Sequence, residues 1–207
     1  MPIEDDLPTT DHTPGRGSSP NERGKSSERG RGNSKGSSSS NSTPSASVGD
    51  DFNVVPLTPS TAVPGTFEAI ATPLRDKLTG ETTGISTLFL WENLRDSLLK
   101  GAGGGPLWDV VDGYTSGVDI LYAPQNITTT SIDRASGSIS KLNAGQINAK
   151  ALGGKSFQAN SAAAFTCKGY DGTFVVFNDG LKGYQQNSDT LIFLQGFNLA
   201  SGPLTVF

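Results

Sequence analysis

Thr173-Phe174-Val175-Val176-Phe177 is the stretch that decides the fold. Five consecutive residues are β-branched or aromatic, and no polar residue other than Thr interrupts them. Such side chains suit a pleated, buried surface, and a continuous apolar run of this length reads as a strand. Alternation puts Phe174 and Val176 on one face and Thr173, Val175 and Phe177 on the other. On either side lie segments of the same kind. Ala163–Cys167 precedes it, Asp189–Leu194 follows it, and Leu204–Phe207 is the last. Asn178-Asp179-Gly180 and Gln195-Gly196 mark the turns between them. Strands so short and close in sequence leave little room for crossover connections, which predicts a mostly antiparallel sheet.

Upstream, one helix is expected. Asn143 is a good N-cap, Ala144 to Leu152 contains good helix formers, and Gly153-Gly154 supplies the stop. Its apolar residues Ile147 and Leu152 should pack on the face formed by Phe174, Val176, Leu191 and Phe193. Further upstream, Ile85–Trp91 reads as a strand and Glu92–Leu99 as a short helix or turn. Trp108–Val111 and Val118–Leu121 are two strands around the bend Gly113-Tyr114-Thr115-Ser116-Gly117. The expected class is therefore mainly β (α+β): a small, mostly antiparallel domain with one short helix, beginning near Phe67.

The first fifty residues differ in kind. Gly, Ser, Asn, Pro, Glu and Arg dominate, and Ser37–Ser40 is a homopolymer. A segment this poor in apolar side chains cannot offset its ordering entropy, so a disordered tail is expected, with residues 51–66 as an extended, Pro-containing linker. Arg16, Arg23, Arg29 and Arg31 have the look of an RNA-binding Arg-Gly tail. Glu22 and Glu28 offset their charge, and no aromatic residue is interleaved, so a solvated spacer is the stronger reading. The 207-residue chain has a formal net charge of −4. A mild negative excess argues against nucleic acid or an anionic membrane as the main partner. No apolar run approaches the length of a membrane span, and Met1-Pro2-Ile3-Glu4-Asp5-Asp6 has no signal-peptide character.

Several chemistries are excluded. His12, in the tail, is the only histidine, so neither a Ser–His–Asp nor a Cys–His system can form, and Cys/His zinc sites fail likewise. Cys167 is the only cysteine; apolar neighbours in a strand pattern place it in the core. Gly153-Gly154-Lys155-Ser156 has Ala149 at the first position of a phosphate-binding loop, and the expected helix precedes the Lys rather than following it; the glycines are a helix stop. Asp109 and Asp119 are the one carboxylate pair that a hydrolase reading could use, and nothing else supports it. The chain is expected not to be an enzyme.

Asp109, Asp112 and Asp119 surround the Gly-containing bend, and Asp179 and Asp189 bracket a second. Calcium takes hard oxygen ligands from carboxylates and turn carbonyls. Asp and Gly are also ordinary turn residues, and on these residues alone the turn reading is the stronger.

Two stretches carry a resemblance. Asp76-Lys77-Leu78-Thr79-Gly80 through Asp96-Ser97-Leu98-Leu99, followed by Asp109-Val110-Val111-Asp112-Gly113-Tyr114-Thr115-Ser116-Gly117-Val118-Asp119-Ile120-Leu121, resembles the segment that ends haemolysin-type (RTX) calcium-binding arrays. Glu81-Thr82-Thr83-Gly84 stands where the Gly-rich calcium turn would be. From Leu142 to Phe207, Asn143-Ala144-Gly145-Gln146-Ile147, Ser156–Thr166, Thr173–Asp179 and Gly183–Ile192 follow in an order similar to the bluetail domain, a C-terminal module of cyanobacterial surface proteins. The resemblance divides the chain into a tail and linker (1–66), an RTX-end-like β segment (67–141) and a bluetail-like β module (142–207). It implies a non-catalytic secretion or surface module, secreted or at the cell surface. It also implies calcium as a cofactor at Asp109, Asp112 and Asp119, and the type I secretion machinery or cell-surface components as partners. An export signal is then expected at the C-terminal end. The competing reading is an intracellular interaction domain whose tail recruits a protein partner.

Overall fold

A computed structural model describes residues 52–207 except Gln125. The expected disorder of the first fifty residues lies outside the described residues. Thirteen strands occur among those described: β1 (Asn53–Val55), β2 (Thr58–Pro59), β3 (Phe67–Ile70), β4 (Asp76–Thr79), β5 (Thr87–Leu90), β6 (Asp109–Asp112), β7 (Ile120–Tyr122), β8 (Ser131–Ile132), β9 (Gly137–Ile139), β10 (Ala162–Cys167), β11 (Gly172–Phe177), β12 (Thr190–Gln195) and β13 (Leu204–Thr205). The described residues are strand-rich with one short α-helical segment, mainly β as the sequence indicates. No helix among the described residues is long and apolar enough to cross a membrane.

The first half of the described chain winds back and forth between two sheets. β1, β4 and β6 lie side by side in a seven-stranded sheet of order β1-β4-β6-β12-β11-β10-β9, while β3, β5 and β7 lie in a second sheet of order β2-β3-β5-β7. The chain alternates between the sheets, the β2–β3 hairpin counting as one visit, so that strands separated by a visit to the opposite sheet lie side by side and run parallel: β1 with β4, β4 with β6, β3 with β5, β5 with β7. The second half is a meander. β10, β11 and β12 pair antiparallel, and β12 then joins the coil by running parallel to β6, Ile192 opposite Asp109.

The expectation of a mostly antiparallel sheet is thus corrected to a mixed one. A parallel pair needs a crossover of a dozen or more residues. Here twenty residues separate β1 from β4, and the crossover is the strand of the opposite sheet rather than a helix. The linker expected over residues 51–66 is corrected as well, since β1 and β2 fall within it, β1 forming the edge of the large sheet and β2 pairing antiparallel with β3. Glu92–Leu99 forms turns and no helix. The two stretches separated by the resemblance share one sheet, through β6 and β12.

Two apolar clusters cover the two faces of the seven-stranded sheet. Between the sheets lie Leu78, Phe89, Trp91, Val111, Leu121, Val175, Phe177, Ile192 and Leu194, all buried. On the outer face Val110, Phe165, Cys167, Phe174, Val176, Leu191 and Phe193 are covered by Ile147, Ala151, Leu152 and Phe157. Burial on both faces explains why β11 and β12 read as unbroken apolar runs. The helical segment is as its caps dictate. The Asn143 side chain accepts from the Gln146 N–H at 2.9 Å, one α-turn forms α1 (Ala144–Gln146), a π-type turn runs over Ile147–Ala151, and Gly153 ends it in the left-handed region at φ 70°. Gly80 marks how closely one pass approaches the next, because a Cβ there would meet the Gly113 carbonyl oxygen at 2.8 Å.

Candidate functional site: the buried carboxylates

Asp76, Asp109, Asp119 and Asp189 stand at or immediately before the first residue of β4, β6, β7 and β12, and all four are buried. Each opens an Asp-x-Leu or Asp-x-Val sequence whose third residue is core: Leu78, Val111, Leu121 and Leu191. The alternation of a strand that plants that apolar residue inside also turns the aspartate inward, two positions earlier. A buried carboxylate needs donors, and the turn just before the strand supplies them.

Asp119 shows the arrangement most plainly. Its Oδ2 accepts the Thr115 N–H at 2.7 Å, four residues back, and its own N–H returns to the Thr115 carbonyl at 2.9 Å. Its Oδ1 accepts the N–H of Thr87, the first residue of β5, at 2.8 Å. The turn closes through Gly117, at φ 73°. Asp189 repeats this: Oδ2 accepts from Gln185 N at 2.6 Å, the N–H returns to the Gln185 carbonyl at 2.9 Å, and Oδ1 accepts from Asp179 N at 2.9 Å. In Asp76, Oδ2 accepts from Thr72 N at 2.5 Å, again four residues back, while Oδ1 takes the Asn53 side-chain amide at 2.6 Å and the Thr72 hydroxyl at 3.1 Å.

Asp109 is the variant at the centre of the large sheet. Its Oδ1 accepts the Asp76 N–H at 2.8 Å and its Oδ2 the Trp91 indole N–H at 2.8 Å. Its own N–H goes to the Ser97 hydroxyl at 2.7 Å, and that hydroxyl donates to the Leu191 carbonyl at 2.5 Å. Ser97 therefore ties β6 to β12 where their parallel pairing begins. Asp112, at the other end of β6, is half-exposed and forms an ion pair with Lys77 of β4 at 3.0 Å.

The three residues offered by sequence as calcium ligands thus have separate engagements. Among the described residues, no three His, Cys, Asp or Glu side chains gather to hold a metal ion. Both oxygens of Asp109 and both of Asp119 face N–H donors, so the lone pairs a cation would need are already engaged. The donor set does not fit calcium. Cys167 is buried in the outer-face cluster as expected, and burial pushes its thiol up from the ordinary value, toward the unreactive form. Asp76 and Asp189 were not singled out as site residues by sequence. The signal was the recurrence of Asp-x-Leu/Val before each strand, which spacing from a single bend does not show.

Burial raises the carboxyls despite these donors. Asp109 is pushed up to about 8 by desolvation, opposed by the Asp76 and Trp91 donors. Asp189 is pushed up to about 7 by desolvation, opposed by the Gln185 and Asp179 N–H groups, with the Asp179 carboxylate adding to the rise. Asp119 is raised for the same first cause. A carboxyl raised in the native state keeps its proton there while the unfolded chain, titrating near 3.8, has lost it. The native state then binds more protons than the unfolded one, so stability falls as pH rises from about 4 to about 8 and levels off above. The melting temperature should be several degrees higher at pH 5 than at pH 9. Asp189→Asn, which cannot titrate, should shallow that slope; a wild-type melting temperature that climbs with pH over this range refutes the titration.

Comparison with known proteins adds no relative: no family model matches the chain, and no curated protein or solved structure is significantly similar to it. The fold defines a class, a β module with a two-sheet parallel coil and an antiparallel meander joined in one sheet.

Proposed function

We propose that this chain is a non-catalytic secretion or surface module of an exported protein. The observation that supports the reading most is where the parallel coil lies. Its passes β4, β5, β6 and β7 span the stretch whose residue order resembles the end of an RTX array. The meander β10–β11–β12 ends the ladder on one side by placing an antiparallel strand beyond β12. A parallel coil exposes backbone donors and acceptors at its last strand, and a meander that covers that edge is what an end module requires. The groups with chemistry nearest to catalysis, the four buried carboxylates, each hold backbone N–H groups in place and are spent on structure.

Expression of the full chain in a Gram-negative host, with and without a type I secretion channel, tests this. The chain should appear in the medium or surface fraction only when the channel is present, and a version lacking residues 1–50 should behave identically. Cytoplasmic retention in both hosts, together with a partner captured only by the version that keeps residues 1–50, favours the intracellular interaction domain instead.

A further inference from the structure

The repeated Thr/Gln-x-x-x-Asp turn has a consequence of its own, independent of whether the module is exported. We propose that the coil closes its turns with its own carboxylates in place of metal ions, so that the module folds to the same state whether calcium is scarce or abundant. Three turns share one geometry. In Thr72–Asp76, Thr115–Asp119 and Gln185–Asp189 the Oδ2 atom accepts the N–H four residues back, at 2.5, 2.7 and 2.6 Å. In each, Oδ1 binds a donor from elsewhere in the chain: Asn53, Thr87 or Asp179. The carboxylate thus bridges its own turn to another segment, which is the work a calcium ion does when it collects carbonyl and carboxylate oxygens from adjacent turns. The polarity is inverted. A calcium turn aims oxygens inward at a cation, whereas these turns aim N–H groups inward at the oxygens of a carboxyl group. One site cannot do both, because a cation would have to displace buried N–H donors and leave them unpaired.

Three neighbouring features agree. Asp112, the sequence's remaining candidate ligand, is neutralised by Lys77, and a cation there would have to compete with the ammonium. The Tyr114 hydroxyl donates to the Asp119 carbonyl at 3.1 Å, so that carbonyl is already engaged by the side chain that also receives the Thr205 N–H at 3.1 Å. Glu81, in the turn that stands where the Gly-rich calcium turn would be, accepts the N–H groups of Thr82 and Thr83 at 2.9 and 3.1 Å through one carboxylate oxygen. The described turns of the coil therefore give calcium no part in closing them.

Thermal unfolding of the full chain in EDTA and in millimolar calcium chloride, the range extracellular calcium modules use, tests the proposal. The two melting temperatures should agree within about 1 °C, since only a ligand that binds the native state raises it. Asp119→Asn keeps one acceptor oxygen but turns an NH2 group toward an N–H donor, and it should lower the melting temperature by about 5–10 °C equally in both buffers. Asp112→Asn, at a half-exposed ion pair, should change it by less than about 2 °C. A wild-type melting temperature several degrees higher in calcium overturns the proposal, even where Asp119→Asn does not fold. So does an Asp112→Asn effect confined to the calcium buffer. Neither result touches the export reading, which is scored by the channel.

Discussion

Ile147→Asp should cost the module about 4–7 kcal/mol or more and leave it unfolded or close to it at room temperature. Ile147 is completely buried on the outer face of the large sheet, in the cluster with Phe174, Val176, Leu191 and Phe193. The substitution removes the transfer and packing energy of an aliphatic side chain, about 2–5 kcal/mol by analogy with truncation to Ala. It also places a carboxyl in a buried apolar cluster, adding a buried-polar penalty of about 2 kcal/mol or more. A domain of this size has a total stability of about 5–15 kcal/mol. The sum, about 4–7 kcal/mol or more, matches the whole stability at the low end of that range and about half of it at the high end. Ile147→Val keeps the shape and should cost about 0.5–1.5 kcal/mol. Near-ultraviolet circular dichroism and a melting curve distinguish the two, and an unchanged melting temperature in Ile147→Asp rules out the packing of this helical turn on the sheet.

Asp109→Ala should cost about 2–6 kcal/mol. It strands two donors, the Asp76 N–H and the Trp91 indole N–H, in the dry space between the sheets, at about 1–3 kcal/mol each. Removing the carboxyl also relieves its own desolvation. That gain is the smaller effect, because a group pushed up to about 8 already carries its proton at neutral pH. The pair with Trp91 can be isolated by a double-mutant cycle with Trp91→Phe, which keeps an aromatic ring against Phe177, whose centroid is 6.0 Å away, and deletes only the indole donor and some bulk. A coupling of about 0.5–3 kcal/mol is expected for residues in direct contact. Strict additivity shows that the Nε1–Oδ2 bond contributes nothing.

The long, doubly buried strands were legible because nothing in them competes with a β reading. β10, β11 and β12 each fall within a residue or two of their expected bounds, and the helical segment starts and stops at Asn143 and Gly153, where cap chemistry leaves few alternatives. β3 and β4 were not legible. Phe67-Glu68-Ala69-Ile70 and Asp76-Lys77-Leu78-Thr79 are four residues each with one or two core side chains, too short for a period to emerge. Their identity comes from neighbours across the sheet, which sequence order does not reveal. The parallel pairing was missed for a related reason. Sequence order suggests pairing between consecutive strands, while the parallel partners of the coil are separated by strands of the opposite sheet, which serve as the crossover. Asp109 and Asp119 are legible in the sequence as carboxylates in strand segments beside the bend, but which donors reach them depends on Thr87, Asp76 and Trp91, brought in by pairing 18 to 33 residues away.

β12 takes part in both kinds of pairing, and this sets an order of events in time. Its contacts with β11 span a short hairpin, Phe177 opposite Thr190, so that loop closes cheaply. Its contacts with β6 join residues eighty-three positions apart, Ile192 with Asp109. Loop-closure entropy for the second pairing is paid before any of its bonds form, and non-local pairing of this kind slows folding to the millisecond-to-second range. The meander is therefore the expected early structure. β6 docks onto an edge of β12 that already exists, and the coil is built outward from there toward β1. A refolding chain whose meander has formed while its coil has not presents the unpaired side of β12, apolar and without a proline, and this is the species in which aggregation would begin.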